Sequence, residues 1–243
     1  MIGVIPAAGN GTRLLPITKI VNKTLLLVYD KPVIYYAIDV LVNSGIKDIV
    51  IIVPTVHLNQ FEKLLEDRDT MGIRNLHIKV CDHALGMPFS IRQAKELAGK
   101  KPIMVVPGDN IFLSYFAKDV SSFRDGALVC LRKVKDPSIF GVPVFKNRKI
   151  VSFIEKPKSP KSKYAVVAPY IFDSKVYDYI DSLKPSQRGE LEIVDLLNIY
   201  LANSRLKIIK MNGFWKDIGT PDSLVEAGVF IKRLRRSNSR ARQ

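Results

Sequence analysis

Along the first half of the chain the apolar positions switch repeatedly between a strand-like and a helix-like period. Ile2 to Pro6 is a short apolar run, and Asp48 to Val53 is a dense β-branched one; both predict strands, the second buried on both faces. Between them Ile34, Ile38, Leu41 and Val42 recur at helical spacing, on a helix that Pro32 opens and Gly45 closes. Thr55 is placed to cap a helix running through Leu65. Leu76 to Val80 then reads as a strand, Phe89 to Leu97 as a helix and Ile103 to Val106 as another strand. This alternation predicts an α/β fold with a mainly parallel sheet and helices on both faces. Farther on, strands are predicted at Ala127 to Val134, Val142 to Phe145, Val151 to Ile154 and Leu206 to Met211. Helices are predicted at Ser174 to Leu183, Leu191 to Ala202 and Pro221 to Leu234. The closer strand spacing there is expected to add mixed or antiparallel strands to the same sheet.

In such sheets ligands gather outside the carboxyl ends of the strands. Two unusual polar segments, Gly9 to Arg13 and Gly108 to Asn110, each follow directly after a predicted strand, so both belong on that rim. The Gly9-Asn10-Gly11-Thr12-Arg13 stretch lets an anion approach peptide N–H groups, and Arg13 adds a planar fork for phosphate oxygens. A Rossmann dinucleotide loop would need glycine where Leu14 stands, and a Walker A loop would need Gly-Lys-Ser/Thr after the second glycine. A tight turn, or a different triphosphate loop extended by Lys19 and Lys23, is what remains.

Composition narrows the class. The 243 residues are 47% apolar and 25% charged, enough for one large domain or at most two modest ones, and unlike a disordered or fibrous chain. We expect a single domain over 1–231 and a basic tail over 232–243, where six basic residues stand with no acidic one. That tail reads as a solvated terminus or as a contact for nucleic acid or an anionic surface. The net charge of +15 favours anionic partners, among them phosphorylated metabolites. No apolar run reaches the roughly 18 to 20 residues that span a bilayer, and the opening MIGVIPAAG lacks a basic leader. Cys81 and Cys130 lie far apart in apolar stretches and read as reduced core residues, which together points to the cytoplasm. His57, His77 and His83 show no metal spacing.

The stretch from Ile5 through the Gly9–Arg13 loop to Lys19, then Lys23, then Val28-Tyr29-Asp30-Lys31-Pro32-Val33-Ile34-Tyr35-Tyr36, resembles the sugar-1-phosphate nucleotidyltransferases. Its opening is similar to UTP:glucose-1-phosphate uridylyltransferases and its second portion to glucose-1-phosphate thymidylyltransferases. Gly108-Asp109-Asn110-Ile111-Phe112, Phe140-Gly141-Val142, Glu155-Lys156-Pro157, Arg188-Gly189-Glu190-Leu191-Glu192 and Trp215-Lys216-Asp217-Ile218-Gly219-Thr220 follow in the family's order, so the resemblance covers 1–231. It implies the Rossmann-like, mixed but mainly parallel sheet of the nucleotide-diphospho-sugar transferases. It also implies attack by a sugar 1-phosphate on the α-phosphorus of a nucleoside triphosphate, with release of pyrophosphate.

By that resemblance Ala8, Gly9, Asn10, Gly11, Thr12 and Arg13 hold the triphosphate, Arg13 lying on the leaving pyrophosphate and Lys23 near the reacting phosphates. Asp109 and Asp217 match Mg2+ ligands, a role that suits hard carboxylate oxygens. Glu155 matches an acceptor for sugar hydroxyls, Lys156 and Arg188 match phosphate-binding cations, and Gly141 and Val166 match backbone contacts to the sugar. Glu190 is expected to open a helix, where a carboxylate complements the dipole. The segment Leu85-Gly86-Met87-Pro88-Phe89-Ser90 stands where family members approach base and ribose, and Gly86 is its nucleotide-binding glycine. Here Met87 and Phe89 add bulk, and the family's base-reading glutamine has no counterpart. Ala168-Pro169 likewise departs beside the sugar. The implied reaction uses dTTP or UTP and glucose 1-phosphate. Cytidylyl transfer, another phosphorylated acceptor, self-association and a non-catalytic nucleic-acid-binding role are the alternatives left open.

Overall fold

The first apolar run lies near the middle of the sheet. In the computed structural model, which describes residues 1–240, Ile2–Pro6 (β1) pairs in parallel with Asp48–Val53 (β4) on one side and Ile103–Val105 (β6) on the other. Between β1 and β4 come a minimal hairpin, Leu27–Val28 (β2) against Lys31–Pro32 (β3), and helix α1, Val33–Asn43, which Pro32 precedes as expected. After β4 follow Leu58–Leu64 (α2), Asn75–Val80 (β5), Met87–Arg92 (α3) and Lys95–Ala98 (α4). Beyond β6 lie Asn110–Phe112 (β7), Ala117–Ser122 (α5), Ala127–Lys133 (β8), Gly141–Lys146 (β9) and Lys149–Glu155 (β10). The chain continues through Tyr164–Phe172 (β11), Val176–Ser182 (α6), Ile193–Ala202 (α7), Leu206–Lys210 (β12), Trp215–Asp217 (β13) and Pro221–Arg240 (α8).

Seven strands form the main sheet in the order β12-β8-β11-β6-β1-β4-β5. Only β11 runs antiparallel to its neighbours, so the mixed but mainly parallel α/β architecture expected from the sequence is the one observed. Ile49 to Val53 are wholly buried, as a strand covered on both faces requires. Cys81 and Cys130 are free and buried, and burial pushes both thiols up.

Several elements differ from the sequence pattern. Val142 to Phe145 and Val151 to Ile154 do not join the main sheet; as β9 and β10 they form their own hairpin. Its turn residues Asn147 and Arg148 have φ of 50° and 64°, the left-handed pair that a two-residue hairpin turn prefers. The helix predicted over Phe89 to Leu97 is broken between α3 and α4. Thr55 caps no helix: its hydroxyl donates to Asp82 at 2.7 Å, and a 3₁₀ turn over Thr55–His57 precedes α2. The last helix runs past Leu234 to Arg240, so the basic segment continues α8 as far as the described residues go; 241–243 lie outside them. Among the described residues, no helix is long and apolar enough to cross a membrane.

β11 is fastened at its end by Asp173. This buried carboxylate accepts from Gly126 N (2.8 Å), Tyr200 Oη (2.9 Å) and Arg205 Nη2 (2.7 Å). Burial alone would raise its pKa, but the Arg205 hydrogen bond and the other donors outweigh that and hold it below the ordinary value. A depressed folded-state pKa stabilises above the unfolded value of about 3.9, and the contribution is lost as pH falls through the folded value. Asp173→Asn should therefore cost about 2 kcal/mol at pH 7 and flatten the acid limb of the stability curve below about pH 4. Urea titrations of both proteins from pH 7 to 2.5 measure this; parallel acid limbs would contradict it.

Candidate active site

Two adjoining chambers open on the rim where β1 and β6 end. The first, about 450 Å³, is walled by the 6–12 loop, Lys23, Gly86, Met87 and Ser90; the second, about 640 Å³, by Gly141, Glu155, Lys156, Val166, Trp215 and Asp217. Thr12, Met87, Asp109 and Glu190 face both. Every residue expected at the site from Ala8 to Arg13, together with Gly86, Asp109, Gly141, Glu155, Lys156, Val166 and Asp217, lies on this cleft. Arg188 is the exception, and Lys19 stands apart on an exposed turn.

The Gly-rich loop is held from behind. Gly11 has φ 61° and opens a 3₁₀ turn over Thr12–Leu14, a conformation that disfavours a Cβ. Thr18 Oγ1 donates to Gly11 O at 2.9 Å and buried Asn22 Nδ2 to Ala7 O at 2.9 Å, while Asn22 Oδ1 accepts from Thr24 N. With its carbonyls bound this way, the loop is fixed before any ligand arrives. Asn22 was not singled out by the sequence.

At the junction of the chambers, β7 pairs with β13 so that Asn110 stands opposite Asp217. Asn110 organises the centre: its Nδ2 donates to Asp109 Oδ1 (2.8 Å) and reaches Asp217 Oδ1 (3.4 Å), and its Oδ1 accepts from Trp215 Nε1 (2.8 Å). Two carboxylates more than 100 positions apart are thereby aimed at one point. Lys23 Nζ donates to Asp109 Oδ2. Burial draws the Lys23 ammonium down, but the charge and hydrogen bond of Asp109 leave its pKa raised. Burial also raises Asp109, and Lys23 more than reverses it, so Asp109 is held low. Asp217 lacks such a partner: desolvation, then repulsion from Asp109, push it up to about 6.

This centre sets two carboxylates against one buried ammonium, with Arg13 and Lys156 acting on Asp217 as well, and its donors are hard oxygens. Those features fit a divalent cation such as Mg2+, which needs only one or two carboxylates beside ligand oxygens. Among the described residues, no group of three or more His, Cys, Asp and Glu side chains is placed to hold a metal. The Arg13 guanidinium lies against Gly219: a Cβ there would stand 2.5 Å from Arg13 Nη2. Gly219 thus leaves room for an arginine beside Asp217.

In the second chamber Glu155 ends β10 and Lys156 follows with φ 42°, a left-handed conformation in a non-glycine residue. Lys156 N donates to Phe140 O at 3.0 Å, and its Nζ lies 3.6 Å from Glu155 Oε1. Burial raises Glu155, with Lys156 and Arg188 opposing. Strain at a cleft residue makes a separable prediction. Lys156→Gly should be more stable than Lys156→Ala by about 1 kcal/mol, because only glycine relieves the left-handed backbone. If the ammonium is what the cleft needs, neither variant turns over. Equal denaturation midpoints would remove the strain.

Arg188 and Glu190 differ from expectation. The Arg188 guanidinium is turned onto Glu192 (2.8 Å), Glu190 (3.1 Å) and, at 3.8 Å, Glu155, rather than lining either chamber. Helix α7 begins after Glu192, not at Glu190, because Glu192 is engaged by Arg188 and by Ser186 Oγ, and Leu191 N is bound to Leu85 O. Glu190 instead faces both chambers. Met87 lines the cleft as expected, but Phe89 packs on the main core and against His83, so it adds no bulk to the first chamber. His57 is buried, and His77 and His83 are exposed on separate parts of the surface.

A family model described as nucleotidyl transferase matches residues 2–233. The glucose-1-phosphate thymidylyltransferase of Neisseria gonorrhoeae is 41% identical over 239 residues, covering 96% of this chain and 83% of that one. A Bacillus anthracis protein assigned to the same enzymes, solved in complex with sucrose, superposes with a TM-score of 0.88 at 41% identity over 95% of each chain. A UDP-glucose pyrophosphorylase solved with UDP-glucose shares the fold, with a TM-score of 0.84 at 23% identity over 96% of this chain and 98% of its own.

Proposed function

The chain belongs to the nucleotidyl transferase family, and from that premise we propose that it moves the thymidylyl group of dTTP onto glucose 1-phosphate, with UTP as second donor. A sugar-phosphate oxygen forms a bond to the α-phosphorus, the bond from that phosphorus to the bridging β-oxygen breaks, and pyrophosphate leaves with the electron pair. Two anions must meet in line, so the task is charge neutralisation and orientation more than covalent help.

The observation that carries this reading is the place of Asp109, Asp217 and Lys23 at the seam between two chambers of fitting size. The first chamber takes the nucleotide, with its phosphates against the 8–13 loop. Arg13, beside Asp217, receives the leaving pyrophosphate. Lys23 Nζ stabilises charge that develops at the reacting phosphorus. In the second chamber Glu155 accepts from sugar hydroxyls and Lys156 holds the attacking phosphate. Asp109 and Asp217 would hold Mg2+, which neutralises phosphate charge when bound. Arg188 supports the sugar side through Glu155 and Glu192 rather than by lining the cleft.

Around the base the first chamber offers Ala84, Gly86, Met87 and Ser90; thymine and uracil share their hydrogen-bonding edge and differ by one methyl group, which supports mild discrimination between them. Two free, buried cysteines support a reducing, cytoplasmic setting. The test is a matrix of dTTP, UTP and CTP against glucose 1-phosphate and other sugar 1-phosphates with Mg2+, read as pyrophosphate release. Turnover confined to CTP, or to an acceptor other than a hexose 1-phosphate, would overturn the donor and acceptor named here.

A further inference from the structure

Behind the Phe140 and Trp215 wall of the second chamber lies another groove, of about 340 Å³, that meets the catalytic cleft at Arg13 and Asp217. Five basic side chains line it, Arg13, Arg132, Lys133, Lys135 and Lys216, against two acidic ones, Asp136 and Asp217. The two acids offset only part of this charge. Asp136 Oδ1 accepts from its own loop, Ser138 N at 2.9 Å and Ser138 Oγ at 2.6 Å, and Asp217 faces Asp109 across Asn110. Lys216 is paired with Glu226, and Arg132 Nη1 is braced on Gly213 O at 2.6 Å. The Lys133 and Lys135 side chains are exposed and make no hydrogen bond or ion pair among the described residues, although the charge of Lys135 acts on Glu226.

We propose that this groove is a second anion site that receives inorganic pyrophosphate after it leaves the α-phosphorus, with Arg13 as the shared contact. The inference rests on the nucleotidyl-transfer reading. Three features select pyrophosphate over the other anions of that reaction. The groove borders the second chamber along Arg13, Phe140, Trp215 and Asp217, so the guanidinium assigned to the leaving diphosphate lines both, while Glu155 and Lys156 do not line the groove. Its volume suits a hydrated diphosphate, whereas an NDP-sugar has chambers of about 450 and 640 Å³ to occupy. Its two rings, Phe140 and Trp215, stand tilted at 59° with centroids 5.5 Å apart, not as a parallel slot for a base. A field of exposed ammonium groups holds a compact, multiply charged anion without shape selection, and that field is screened by salt.

The test is the Lys133→Gln/Lys135→Gln double variant, whose changes lie on exposed side chains. Run in reverse, from dTDP-glucose and pyrophosphate, the variant should show a KM for pyrophosphate raised about ten-fold, with the KM for dTDP-glucose within about two-fold of wild type. In the forward direction, inhibition by added pyrophosphate should weaken by the same factor. An unchanged KM for pyrophosphate overturns the proposal. So does an equal rise in the KM for dTTP, which would assign the groove to the incoming triphosphate. Calorimetric titration of pyrophosphate separates this from the parent reading. If no donor and acceptor pair turns over, ten-fold weaker pyrophosphate binding by the variant still supports the groove, and equal binding overturns it.

Discussion

Asp109→Asn should lower turnover by about a thousand-fold while leaving a folded protein. The substitution keeps the shape and one acceptor but removes the charge that Lys23 and Asn110 orient. The side chains of Lys23 and Asp109 are 15% and 17% exposed, so the pair is close to buried and its truncation leaves an ammonium without its counter-ion. A fully buried pair broken on one side loses about 3 to 5 kcal/mol, and here the open cleft admits solvent, so about 2 kcal/mol is expected. The decisive comparison adds Lys23→Gln to Asp109→Asn. The double variant should recover part of the lost stability, since no orphaned charge remains, and recover none of the activity. Pyrophosphate release and urea unfolding on the three variants read the two effects separately. Turnover above a tenth of wild type in Asp109→Asn would remove this carboxylate from the reacting centre.

Gly86→Ala should be the most damaging small substitution in the cleft. Gly86 has φ 96°, and a Cβ built there would stand 2.1 Å from Leu191 O. Leu191 cannot yield freely, because its N–H is bound to Leu85 O at 2.8 Å and the adjoining Glu192 is gripped by Arg188. Strained backbone and backbone clash together predict a loss of about 3 kcal/mol or more. The start of α3 with Met87 and the segment carrying Glu190 would be forced apart, so both chambers should suffer. KM should rise for nucleotide and sugar phosphate alike. A variant with wild-type melting and unchanged KM values would mean the two loops do not depend on this contact. Phe89→Leu, on the core side of the same helix, should leave both KM values nearly unchanged.

The contrast between what could and could not be read from the sequence has physical causes. Strands β1, β4 and β6 were legible because each is a bounded apolar run between turn residues. β11 was not, although it is the longest strand: nearly all of it is buried, so it shows no alternation, and Pro169 argues against a central strand. The structure accommodates the proline where the β8 register breaks between Val167 and Tyr170. β7 and β13 span three residues each and exist only because they pair with one another. The site followed the same rule. Arg13, Lys23, Asp109, Glu155, Lys156 and Asp217 were visible through ordered motifs that resemble a family. Asn22 and Asn110 act by joining distant backbone and carboxylate groups, which no local pattern displays. The only cue to Asn110 was its place directly after Asp109. Glu190 was misplaced because helix propensity does not reveal that Arg188 engages Glu192 next to it.

The lone reversed strand has a consequence for how the protein is made. β11 is inserted between β6 and β8, so a nascent chain that has emerged only through β10 carries β6 with one edge bare. Such an edge is a template for pairing with other chains. Division of the molecule near its midpoint would therefore leave β6 and β11 each with a bare edge, and during synthesis the β6 edge is covered only once the chain has passed Phe172.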